Sequence, residues 1–185
     1  PLSLTSFARK EYVSNGNAVA TAVGSIEGIN VTVESSTLNI TRTDGKGDSV
    51  VAAGTSDFTV LKLNATSTQG NGVRLSRAEF TVTAAGAYTN NVSLSLLVNG
   101  TVVQTKSVTA GTVFFDNFNA NVTNASGATL EVKANFAEAF SARTFKLTLL
   151  TLNAVDLLTS AAVNYNLPAG ATFTIGAANA EVTAS

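Results

Sequence analysis

A chain of 185 residues with 45% hydrophobic and 12% charged residues carries about half the charge of an ordinary soluble domain, for which roughly 25% is usual. It contains no His, Cys, Met or Trp. That excludes Cys/His zinc sites, haem held by His, Cys or Met, thiol nucleophiles and Ser-His-Asp triads. The net charge of −1 comes from eleven basic and twelve acidic residues scattered singly, so neither a nucleic-acid footprint nor a polybasic membrane patch is expected.

The length suits one large β domain, or one domain plus an extension, and is enough for a core without disulfides or metal. Thr and Val favour strands, whereas the abundant Asn, Ser and Gly favour turns. The opening Pro1-Leu2-Ser3-Leu4-Thr5-Ser6 lacks a basic segment and an apolar run, and reads as the start of a mature or excised chain.

In chain order, strands are expected at Ala18–Val23, Ile29–Val33, Thr37–Arg42, Phe58–Ala65 and Arg77–Thr83. Val92–Val98 alternates apolar with polar residues, meets Asn99-Gly100, and resumes at Thr101–Thr105. Asn-Gly between alternating runs predicts a two-residue hairpin, because a type I′ turn needs positive φ at both central residues. Further strands are expected at Thr112–Phe118, Thr129–Ala134, Thr144–Leu152, Val155–Tyr165 and Thr172–Ile175. Asn135–Ala142, with Phe136 and Phe140 four apart, suits one turn of helix or a bulged crossover. The most apolar stretch, Leu147 to Val163, is broken by Asn153 and Asp156, so it does not read as a membrane span of roughly 20 apolar residues.

Many short strands bounded by turns predict an all-β sandwich, immunoglobulin-like or jelly-roll-like. The polar loop Thr43–Ser49 marks the expected boundary: residues 1–43 as an N-terminal β-rich extension, 44–185 as the sandwich domain.

The run Val50-Val51-Ala52-Ala53-Gly54-Thr55, leading into Phe58–Ala65, then Asn99-Gly100-Thr101, Thr112-Val113-Phe114-Phe115 and Thr129–Ala134, resembles the immunoglobulin-like β-sandwich modules of bacterial and archaeal surface-layer and cell-surface filament proteins. The resemblance covers roughly Ser49 to Leu150. It implies a structural, non-enzymatic, extracellular role.

Catalysis is not expected. The carboxylates, among them Glu79, Asp116, Glu131 and Glu138, fall one per strand or loop, whereas glycoside hydrolysis needs a pair about 5–10 Å apart. No cofactor is expected. Asp44 and Asp48 flank Gly45 and Gly47, a weak calcium pattern that reads first as a surface turn. Asn-x-Ser/Thr occurs at Asn30, Asn39, Asn64, Asn91, Asn99, Asn121 and Asn124. Chance placement of the chain's Asn, Ser and Thr gives about four such sites, so composition leads; Asn64 and Asn99 are the poorer glycan acceptors, one in a strand and one in a tight turn. Lys62 and Lys133, in core-like strands, are candidates for a Lys–Asn isopeptide bond.

The N-terminal segment offers the sharpest hypothesis. Val19 with Val23, and Ile29 with Val31 and Val33, form alternating apolar faces. These strands either pack on their own sandwich or pair with the edge of a neighbouring copy, and a series of such contacts builds a filament or sheet. The expected function is a self-assembling structural protein of the extracellular surface, with its own copies as partners. The alternatives are a carbohydrate-binding or adhesin module, for which only Tyr12, Tyr88 and Tyr165 offer polar-tipped rings, and an outer virion decoration protein.

Overall fold

The computed structural model describes residues 8–12, 18–22, 35–46, 48–84, 91–140 and 143–176; for 8–12 and 18–22 the backbone alone is described. The chain divides into two compact units, Pro1–Glu34 and Ser35–Ser185. In the first, β1 (Ala8–Tyr12) and β2 (Ala18–Ala22) pair antiparallel as a two-stranded sheet.

The second unit is an all-β sandwich of two five-stranded sheets. Its strands are β3 (Asn39–Arg42), β4 (Ser49–Ala52), β5 (Phe58–Thr66), β6 (Val73–Ala84), β7 (Val92–Val98), β8 (Thr101–Ser107), β9 (Thr112–Val122), β10 (Ala128–Phe136), β11 (Arg143–Asp156) and β12 (Thr172–Gly176). The first sheet has the order β3-β5-β10-β7-β8, the second β4-β12-β11-β6-β9. Among these pairings only β4 with β12 is parallel. No helix among the described residues is long and apolar enough to cross a membrane.

The sandwich follows from the period-2 pattern. In β10, residues alternate buried and half-exposed from Ala128 to Phe136 without a break, so Leu130, Val132, Ala134 and Phe136 line one face. Leu75, Phe80, Phe115, Phe145, Leu147 and Phe173 line the facing side of the second sheet. A phenylalanine cluster closes one end of the core. Phe136 lies edge-on to Phe145 at 5.2 Å and stacks on Phe140 at 6.0 Å, while Phe58 lies edge-on to Phe173 at 5.3 Å. Each such pair adds about 0.5–1.5 kcal/mol beyond the area it buries.

The hairpin at Asn99-Gly100 forms as the sequence predicts, with φ of 50° and 83°. The Asn99 carboxamide also accepts the Thr129 N–H at 2.8 Å, tying the turn to β10.

Several boundaries differ from expectation. The sandwich begins at Ser35, not at residue 44: β3 pairs with β5, and Leu38 and Ile40 are buried in the core. Residues 135–140 hold no helix. β10 runs to Phe136, and a turn closed by the Phe140 N–H on the Ala137 carbonyl (2.9 Å) brings the two rings together.

β6 and β9 are longer than their alternation suggests, because a bulge between Leu75 and Arg77 faces Asn117 at φ 57° and resets the period in both strands. The two strands expected on either side of Asn153 are one strand, β11, whose period is broken by a bulge at Leu150; a second irregularity, opposite Asn153 and Ala154, lies in β6, where Ser76 is the extra residue. The strand expected at Val155–Tyr165 stops at Asp156, whose carboxylate caps a turn over residues 157–159. β1 and β4 are additional to the strands the pattern suggests.

Candidate assembly surface

The expected assembly residues fall largely outside the described residues. Val19 lies in β2, where the backbone alone is described; Val23, Ile29, Val31 and Val33 lie outside, as do Asn30 and Tyr88. The structure does define how the second unit begins. The Ser36 N–H donates to Asp156 Oδ2 (3.2 Å), and the Ser36 hydroxyl donates to the Gly72 carbonyl (2.9 Å) and accepts the Gly72 N–H (3.1 Å). Asp156 also receives the N–H groups of Leu158 and Thr159 and the Thr159 hydroxyl. The hydrogen bond from Ser36, then those from Thr159 and Leu158, hold the Asp156 carboxyl well below its ordinary 3.8, against the opposing effect of burial. The chain therefore enters the sandwich at a fixed point, the C-terminal end of β11.

Asp44 and Asp48 are not brought together as a donor set. Asp44 accepts Arg42 Nε at 2.8 Å and the N–H groups of Lys46 and Lys62, and pairs with Arg42 Nη2 at 2.8 Å. Burial pushes its carboxyl up, but the bonds from Arg42, Lys46 and Lys62 outweigh this and leave it lowered. Asp48 serves elsewhere, accepting the Thr172 N–H at 3.0 Å. No group of three potential metal ligands occurs among the described residues.

The remaining carboxylates are dispersed over separate surfaces. Glu131 accepts the Thr59 hydroxyl (2.7 Å) on the outer face of the first sheet. Glu79 accepts the Thr151 hydroxyl (3.3 Å) and Asp116 pairs with Arg77 (3.3 Å) on the outer face of the second. Glu138 is exposed in the turn after β10. Lys62 and Lys133 alternate with core residues and are half-exposed on the outer face of the first sheet, not in the core where the isopeptide reading needs them. Asn39, Asn121 and Asn124 are exposed, Asn91 is half-exposed, Asn64 is half-buried in β5, and Asn99 is exposed in its turn.

The outer edges of the sheets differ in how they are protected. β8 carries a bulge at Val103, opposite Leu96 and Leu97 of β7, and a lysine, Lys106, both of which discourage edge pairing. β8 is also tied to β9, where the Asp116 N–H donates to Gln104 Oε1 (3.2 Å). The Phe114 ring sits under Arg77 at 5.0 Å and Lys106 at 5.9 Å. β3 and β4 are four residues each, and the Arg42–Asp44 pair closes the end of β3.

Exposed leucines stand elsewhere: Leu150 in β11, and Leu157, Leu158 and Leu167 in the segment after it. Tyr165 is not offered as a sugar platform. Its ring packs against the core and its hydroxyl is bonded to the backbone of Leu152. Sequence reasoning missed this group; the signal was two adjacent leucines and a later one set among Asn, Ser and Pro, where a loop has no need of them.

No family model matches the chain, and no curated protein matches it. Among solved structures there is a similarity to the crystal structure of BslA, a bacterial hydrophobin, at 19% identity and a TM-score of 0.25, over 77% of this chain and 93% of that one. A TM-score at that level bears on neither fold nor function.

Proposed function

We propose that this chain is a non-enzymatic structural protein of the extracellular surface that assembles with its own copies, by strand pairing, into a filament or surface layer. The observation that carries the reading is the division of the chain. The N-terminal unit is of strand-forming sequence, and its two described strands pair with each other in a sheet of their own. Strands of this kind are the usual means of adding to another copy's sheet edge.

The strand order supports the immunoglobulin-like form of the sandwich. With β3, β5, β6, β7, β10, β11 and β12 taken as A to G, one sheet reads A-B-E-D and the other G-F-C. β9 then lies beyond C, β8 beyond D and β4 beyond G. Modules of this type in surface layers are the ones the sequence resembles. The dispersed carboxylates, each engaged by its own neighbour or turned to solvent, favour a passive role over hydrolysis.

Negative-stain electron microscopy tests the reading. The full chain is expected to form polymers, and a chain beginning at Ser35 is expected to stay monomeric while keeping the same β-sheet circular dichroism. Polymers of equal length from both chains would remove the N-terminal unit from the mechanism, and their absence from the full chain would remove assembly.

A further inference from the structure

The second sheet is notched along β11. That strand is fourteen residues long and pairs with β6 from Phe145 to Asp156, but on its other side β12 covers only Arg143–Lys146. The chain then returns along the rest of that side as residues 161–171. It is anchored at one end by the Val155–Ala162 bridge and the Val163 N–H on the Ala154 carbonyl (3.0 Å). At the other end Gly170 lies so close to the Leu147 carbonyl that a Cβ there would collide with it.

Between these anchors no backbone-to-backbone hydrogen bond joins residues 148–153 to residues 164–170, all of them described. A side chain fills in. The Tyr165 hydroxyl accepts the Leu152 N–H and donates to the Leu152 carbonyl, both at 2.6 Å. One phenol thus stands where a strand's amide and carbonyl ordinarily stand. Leu150 and Leu167, 45% and 46% exposed, flank the gap, and Leu158, 61% exposed, lies at its end.

Resting on the reading of self-assembly by strand pairing, we propose that this gap in β11 is the acceptor, and that its occupant is the segment Ile26–Val33 of a second copy. The pattern fits. The stretch between the anchors is residues 148–153, and within Ile26–Val33 the residues Ile29, Val31 and Val33 alternate with Asn30 and Thr32. The place where the segment ends also fits. Ser36 is bonded to Asp156, so three residues after the segment the chain is fixed at the C-terminal end of the strand that would receive it.

In its own copy the segment would have to run parallel to β11 to arrive there. From a second copy it is free to lie antiparallel, as every described partner of β11 does, and antiparallel pairing is the more stable per residue. Donor and acceptor are different surfaces, so the contact is heterologous and repeats along a polymer. The incoming strand takes over the free backbone groups of residues 148–153, and residues 164–169, with the Tyr165 hydroxyl, move aside to admit it.

The native chain has no cysteine, so disulfide trapping has no background. A full-length L150C copy, mixed with a full-length N30C or T32C copy and oxidised under assembly conditions, is expected to give a covalent dimer. T151C, at a second exposed position of β11, is expected to do the same, and V103C on the β8 edge is expected to give none. A dimer through V103C and not through L150C or T151C, in a sample that polymerises, overturns the acceptor assignment and leaves strand pairing standing. A double L150C/N30C chain that closes only on itself, as a fast-migrating monomer, overturns the second-copy occupant. No trapped dimer in a sample without polymers overturns the acceptor together with the reading it rests on.

Discussion

β10 and β11 are the middle strands of their sheets, yet they are built to opposite standards. β10 is paired on both sides, with β5 over Ala128–Ala134 and with β7 over Leu130–Phe136, and its alternation is unbroken. β11 has a full partner on one side only, carries a bulge at Leu150 and on its other side leaves residues 148–153 to one tyrosine hydroxyl. A strand satisfied on both sides has no backbone group left to offer. A strand satisfied on one side keeps a template for another chain. The difference locates where the sandwich is closed and where it is open.

The comparison is broken most severely from the β10 side. Phe136 ends β10 in the core, against Phe58, Phe140 and Phe145. Phe136→Ala removes a ring from a fully packed cluster and is expected to cost about 3–5 kcal/mol in urea unfolding, enough to leave a domain of ordinary stability marginal.

That strand was also the one most legible in the sequence. Its alternation from Thr129 to Ala134 reads directly as a half-buried strand, and Asn99-Gly100 reads directly as the turn that the positive φ values require. The bulged strands were not legible to their full length. A bulge inserts one residue, shifts the apolar face by one, and looks in the sequence like the end of an element. Phe115 to Phe118 in β9 and Leu149 to Leu152 in β11 are such shifts. The boundary at Thr43–Ser49 misled for another reason. The loop is polar and Gly-rich, but Asp44 turns inward to Arg42 and stitches β3 to β5, so a loop inside the domain reads as a linker. The Asp156 junction and the Tyr165 bond were not legible at all, because each joins residues whose meeting depends on the finished sheet.

Next in size is the junction at the end of β11. Asp156 is held as a carboxylate by Ser36, Thr159 and Leu158, below its ordinary 3.8. A group with a depressed native value contributes stability that is complete above 3.8 and lost as the pH falls through that native value. The urea midpoint of the wild type is therefore expected to drop on acidification. Asp156→Asn is expected to be less stable at neutral pH, with a shallower dependence, and to converge on the wild type in acid. Asp44, lowered in the same direction, leaves a residual slope in both. Parallel curves for the two chains would show that Asp156 is not what ties the start of the sandwich to β11.

Gly170 sharpens the contrast at the other end of the gap. Because a Cβ at this position would meet the Leu147 carbonyl, Gly170→Ala has to push the returning segment away from β11. A cost of about 1–3 kcal/mol is expected by thermal or urea denaturation, together with faster hydrogen exchange for the amides of β11 residues 147–152.

The smallest effect is the most specific to β11. Along β10 the ladder is made of backbone, so no side-chain substitution deletes it without disturbing the core. At Leu152 both backbone groups are served by Tyr165, and Leu152 itself is 3% exposed. Tyr165→Phe keeps the ring that packs against the core and removes only the oxygen. A loss of about 1–2 kcal/mol is expected, since two hydrogen bonds to a buried backbone unit disappear without replacement. Hydrogen exchange reads the effect residue by residue. The Leu152 amide is expected to lose protection while the Val132 amide in β10 keeps its own, apart from the global shift in stability. Equal changes at the two amides would mean that the hydroxyl holds the fold as a whole and not the open side of β11. In a strand with a true neighbour, the same substitution on that neighbour would leave the ladder intact. The sensitivity of Leu152 to one oxygen atom is the direct measure of how little else pairs with that side of the strand.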